Sequence, residues 1–95
     1  MHNSLWYAPS EERPAHGGTQ RLYRFEGSRY SASVVCHQYS YGFQEGLWEL
    51  AVMHDGRMTT GTPITEPEDD DVIGWLTEDE IQSLLAQIDA LQEAR

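Results

Sequence analysis

Leu47-Trp-Glu-Leu-Ala-Val-Met-His-Asp-Gly-Arg-Met-Thr-Thr-Gly-Thr-Pro63 is the stretch that decides the fold. Asp55-Gly56 is a two-residue turn sequence, because both residues accept the positive φ that a type I′ hairpin turn demands. Before the turn, side chains alternate between Trp48, Leu50 and Val52 on one face and Leu47, Glu49, Ala51 and Met53 on the other. The pattern predicts strands over 47–54 and 57–63. Pro63 has no amide donor, so the second of these should end there or lie at an edge.

Upstream, residues 20–26 and 29–38 flank Gly27-Ser28 and predict a second hairpin, with a type II′ turn. Centring it there places Phe25 opposite Tyr30, Tyr23 opposite Ala32 and Arg21 opposite Val34. A slip of one residue would send Tyr23 and Phe25 to the wrong face. Tyr39 to Gly46 then forms an aromatic loop between the hairpins. Residues 1–19, with two prolines and Gly17-Gly18, show no sustained period and read as a flexible N-terminal arm, with Trp6 and Tyr7 tucking onto the sheet. Residues 20–95 form a single α+β domain in this reading.

Downstream, Thr77 followed by Glu80 is a capping box, in which hydroxyl and carboxylate each take an orphan amide at a helix start. Leu76 and Ile81 supply the matching hydrophobic staple, and Glu78, Asp79 and Glu80 complement the positive end of the helix dipole. Ile81, Leu84, Leu85, Ile88 and Leu91 then make one apolar stripe, predicting a helix over 77–93. The expected fold is α+β: a four-stranded antiparallel sheet of two hairpins, with this helix packed on one face. Leu84, Ile88 and Trp48 are the expected core.

The chain has 95 residues, enough for one small core, and 16 acidic residues against six arginines and no lysine, a net charge of −10. That balance excludes direct nucleic-acid binding and an anionic membrane surface, both of which need a basic face. No apolar run approaches the ~20 residues of a membrane-spanning helix, and Met1-His-Asn-Ser does not begin a secretion signal, so a soluble cytoplasmic protein is expected. The charge is unevenly placed. Residues 1–48 carry four acids and four arginines, whereas residues 49–95 carry twelve acids and two arginines.

Signatures of chemistry are absent, and the chain is not expected to be an enzyme. Cys36 and His37 are neighbours on a strand, so their side chains point to opposite faces and form no dyad. His2, His16, His37 and His54 lack the spacing of a metal site, and one cysteine builds no zinc cluster. Glu66-Pro-Glu-Asp-Asp-Asp71 lacks the alternating order and distal glutamate of a calcium loop. No phosphate-binding glycine loop occurs. Catalytic, cofactor and metal residues are therefore none.

Asp71-Val-Ile-Gly-Trp-Leu-Thr-Glu-Asp-Glu80 and Ser40-Tyr-Gly-Phe-Gln-Glu-Gly-Leu-Trp-Glu49 resemble segments of small uncharacterised proteins of bacterial phages and prophages. The resemblance implies no activity and no catalytic residue. The expected function is a small acidic protein working by protein–protein contact. One helix covers only one face of the sheet, so the other is expected to meet the N-terminal arm, a second copy of the chain in a homodimer or another protein partner, or to stay an exposed patch. The expected partner-binding residues are Glu66, Glu68, Asp69, Asp70, Asp71, Glu78 and Asp79, facing a protein partner with a basic surface. The alternative is an acidic decoy that occupies a nucleic-acid-binding host protein, as phage counter-defence proteins do.

Overall fold

Turns with residues held at positive φ fold the chain back on itself into a single antiparallel sheet. The computed structural model describes residues 7–40, 42–58 and 72–91. Along them run β1 (Glu11–Ala15), β2 (Gly18–Arg24), β3 (Tyr30–Cys36), a short 3₁₀ helix (Phe43–Glu45), β4 (Trp48–His54), β5 (Arg57–Met58), β6 (Ile73–Leu76) and α1 (Glu78–Asp89). The first five strands lie side by side in chain order, and β6 pairs with β4. The fold is α+β with an antiparallel sheet and one C-terminal helix, as the sequence predicts. Among the described residues there are six strands, which corrects the expected count of four.

The first added strand lies in the stretch read as a flexible arm. His16 and Gly17, at φ 46° and 78°, turn β1 back along β2 with Ala15 opposite Gly18. An edge strand exposed along its length needs no apolar alternation, and it tolerates Pro14. The second added strand is β6. Here Leu76 faces Trp48 and Ile73 faces Leu50, so three steps along β6 span two steps along β4. The extra residue makes a β-bulge.

The β2–β3 register is the expected one, with Tyr23 opposite Ala32 and Arg21 opposite Val34. Its turn differs. The Ser28 amide donates to the Phe25 carbonyl at 3.0 Å, and Gly27 takes φ 76°. Glu26-Gly27 are thus the central pair of the turn, and the Ser28 hydroxyl accepts from the Tyr30 amide at 3.0 Å. The loop is longer than a two-residue Gly27-Ser28 turn. At the other hairpin Asp55 and Gly56 sit at φ 54° and 81°, and His54 pairs with Arg57, as read from the sequence. The expected continuation to Pro63 lies outside the described residues.

Helix α1 begins where expected. The Thr77 hydroxyl accepts from the Glu80 amide at 3.2 Å, and the Glu80 carboxylate accepts from the Thr77 amide at 2.9 Å. Ala32, Val34, Leu50 and Val52 of the sheet and Ile81, Leu85 and Ile88 of the helix have no exposed surface. Residues 81, 85 and 88 form the inner line of the stripe, so Ile88 is a core residue as expected. Leu84 and Trp48 are only partly buried and pack at the margin. That corrects the expected core: Leu84 lies on the shoulder of the helix, one step round from Leu85.

Tyr7 fastens the N-terminal segment to the helix side. Its ring meets Phe25 edge-on at 5.6 Å between centroids, and its hydroxyl donates to Asp89 at 2.8 Å. The Gln82 side-chain amide binds the Tyr7 backbone twice, accepting from its amide and donating to its carbonyl. Trp6 lies outside the described residues. On the opposite face of the sheet Leu22, Val35 and Met53 are half-buried beside Gln20, Ser31 and Ser33.

Leu85→Ala should lower unfolding free energy by ~2–5 kcal/mol, through lost transfer energy plus the cavity, whereas Leu84→Ala should do markedly less. Chemical denaturation of the two variants checks the order. Thr77→Ala should cost ~0.5–2 kcal/mol through loss of the cap. A midpoint equal to that of the parent would contradict the capping role.

Candidate functional site

One end of the sheet collects the β1–β2 turn, the loop after β3 and the close of β6, and aromatic rings gather there. Gly18 lets the first two of these meet, since a β-carbon at that position would lie 2.0 Å from the Cys36 carbonyl oxygen. The Gln38 amide then donates to the His16 carbonyl at 3.2 Å. The His16 ring packs edge-on against His37 and Tyr39, both at 5.1 Å between centroids. Ser40 locks the bend: its buried hydroxyl accepts from the His37 amide at 2.9 Å and donates to the His37 carbonyl at 2.8 Å. Tyr39 is left 73% exposed.

The next turn brings the loop under β6. Gly42 has φ 87°, and a β-carbon there would stand 2.9 Å from the Leu47 β-carbon and 3.3 Å from the Trp75 α-carbon. Glycine is needed both for that conformation and for that approach. The Leu47 amide donates to the Gly42 carbonyl at 2.9 Å, closing the loop. Gln38, Ser40, Gly42, Phe43, Gln44, Glu45 and Trp75 line an open cleft of about 260 Å³.

Trp75 is the unusual member. It is 57% exposed and sits at φ 62°. The bulge explains the backbone. Ile73 and Leu76 are an odd number of residues apart, so plain alternation would put them on opposite faces. The extra residue lets Leu76 reach the core while Ile73 packs against it, and Trp75 is turned outward. What the bulge leaves unexplained is the residue type. A left-handed conformation suits glycine, and a bulky residue there carries strain of roughly 1–3 kcal/mol.

His16 and His37 belong to an aromatic cluster with Tyr39, whereas His54 packs on Tyr30. The Tyr39 amide points at His37 Nδ1 from 3.2 Å, so the proton of the neutral ring sits on Nε2. Among the described residues no three of His, Cys, Asp and Glu converge on one point. Cys36 is half-buried, and burial pushes its thiol above the usual range despite the nearby Arg21 charge. The thiolate form needed of a nucleophile is thereby disfavoured.

Of the acidic residues singled out in the sequence, Glu78 and Asp79 are among the described residues. Glu66, Glu68, Asp69, Asp70 and Asp71 lie outside the described residues. Asp79 is exposed in the first turn of α1. Glu78 is taken up internally, accepting from Arg21 Nη1 with both carboxylate oxygens at 3.1 and 3.0 Å. Arg21 Nε also lies 3.4 Å from Glu12, and its guanidinium stacks 4.2 Å over the Trp48 ring. Burial alone would lower the Arg21 pKa, but the hydrogen bonds and charges of Glu78 and Tyr23 together raise it. This clasp ties β1, β2, β4 and the start of α1 together.

The aromatic end was only partly foreseen. The loop 39–46 is visible in the sequence as a run of rings, but His16 and Trp75 join it only through the turn at Gly17 and the bulge in β6. Comparison with protein-family models, curated proteins and solved structures finds no match to this chain.

Arg21→Ala should destabilise by ~1–3 kcal/mol, since it removes a stacked cation and strands two carboxylates that faced it. Thermal melts at low and high salt check this, and most of the loss should survive salt because the stacking does. Cys36 should react with iodoacetamide at pH 7 more slowly than free cysteine. Faster alkylation would revive a nucleophilic role.

Proposed function

We propose that this chain works by contact with another protein, and that the aromatic end of the sheet is its contact surface. One observation carries the reading: a tryptophan stands in a strained, solvent-facing position where the fold requires only a bulge. Indole and phenol rings are enriched at the energetic centres of interfaces, because they bury a large area with few rotatable bonds. Tyr39 supplies a second exposed ring, held on the edge-on His16–His37 pair. Among the described residues the surface offers aromatic faces, amides and the Glu45 carboxylate. Those features support recognition.

Trp75→Gly separates this reading from a purely structural one. Glycine accepts φ 62°, so the variant should melt no lower than the parent and up to ~1 kcal/mol more stably. It should also lose the protein that the parent chain captures from lysate of its source cells, and Tyr39→Ala should weaken that capture. If both variants retain the same protein in the same amount, the aromatic end is not the contact surface.

A further inference from the structure

The cleft beside Trp75 has a composition that selects among partners. Trp75 presents an exposed indole face, the aromatic surface that best attracts a cation. Glu45 lies on the same cleft, exposed and with no ion-pair partner among the described residues. No arginine or histidine lines it. Arg13, Arg21, Arg24 and Arg29 each lie against a carboxylate elsewhere, on Glu11, Glu12, Glu78 or Asp55, and Arg57 stands opposite His54 at the other end of β4. The cleft therefore holds the acceptor half of a cation site whose cation the described part of the chain does not supply.

The same chain shows the completed arrangement once. At Arg21 a guanidinium lies over the Trp48 indole with the carboxylates of Glu12 and Glu78 against its nitrogens. Trp75 and Glu45 repeat the indole and the carboxylate without the guanidinium. We propose that this cleft receives an arginine side chain of a protein partner, stacked on Trp75 with its N–H groups toward Glu45. The inference rests on the contact reading above and names the chemistry that the contact surface selects.

Three further features agree. The net charge of −10 draws basic segments toward the chain and hastens encounter. Gln38 and Gln44 add side-chain carbonyls able to accept the remaining guanidinium N–H groups. Ser40 does not, because both its hydroxyl bonds are made within the loop. The volume of about 260 Å³ falls below the ~300–1,000 Å³ of sites that bury whole cofactors, and it suits one side chain. A guanidinium is favoured over an ammonium, since it is planar, stacks on the ring and offers five donors. Anionic ligands are repelled.

The test uses the full chain and two probes, octa-arginine and octa-lysine, titrated by calorimetry at low salt. Octa-arginine should bind more tightly than octa-lysine, and Trp75→Gly and Glu45→Gln should each weaken it by about three- to fivefold. Replacing Asp69, Asp70 and Asp71 with Asn should weaken both peptides alike and leave the preference for arginine intact. Glu45→Gln alters an exposed residue and keeps the fold, which its melting midpoint verifies. If octa-arginine binds both variants as it binds the parent, the cation cleft is refuted. In that event, loss of the captured protein by Trp75→Gly still sustains the contact reading. Retention of that protein overturns both.

Discussion

The outer edge of β4 is shared by two strands, and the rest of the molecule depends on how they divide it. β5 takes the end at Met53 and His54, through the tight Asp55-Gly56 turn, and β6 takes the other end at Trp48 and Leu50. Because Leu76 is the last residue of β6 and Thr77 caps α1, the pairing of Leu76 with Trp48 fixes where the helix starts. No linker intervenes to absorb error. The helix then lies over β3 and β4, with Ile81, Leu85 and Ile88 against Val34, Leu50 and Val52. A slip of one residue in β6 would lift Leu76 from the core and rotate the start of the helix away from Arg21.

Arg21 secures that placement electrostatically. It reaches across the sheet end to Glu78, in the first turn of α1, while its guanidinium lies over Trp48. An exposed ion pair contributes little, but this one adds stacking, two carboxylates and partial burial. Gln82 and Asp89 hold Tyr7 on the same helix, so the N-terminal segment braces the helix from one side. Three chain segments far apart in sequence thus meet around α1. The acidic first turn has two tasks: Glu78 binds Arg21, while Glu80 closes the capping box.

Local signals in the sequence reveal whatever depends on one short period or one turn. The Asp55-Gly56 hairpin, the β2–β3 register and the Thr77 cap follow from residues within a few positions of each other. β1 escapes notice because an edge strand exposed along its length has no reason to alternate, and Glu11, Arg13 and Pro14 resemble a loop. β6 escapes because its bulge breaks the period of two across Gly74 and Trp75, which erases the pattern by which strands are recognised. A helical stripe gives the apolar face without saying which line lies innermost, so it does not separate Leu84 from Leu85. The aromatic end inherits both omissions, since His16 sits on the missed hairpin and Trp75 on the missed strand.

Trp75 also shows how fold and contact can be told apart within one short strand. The bulge needs a residue tolerant of positive φ, and Gly74, immediately before it, is the kind of residue that meets such a need without strain. The chain instead places its indole at the strained position and then uses Gly42 to bring the 42–45 turn beneath it. Neither choice improves the core, which closes with Leu76 and Ile73 whatever stands between them. Together they hold a flat ring open to solvent beside the Glu45 carboxylate, on a chain whose net charge is −10. A fold optimised only for stability would have put glycine at 75, and the exposed indole that stands there instead is the observation on which the proposed contact rests.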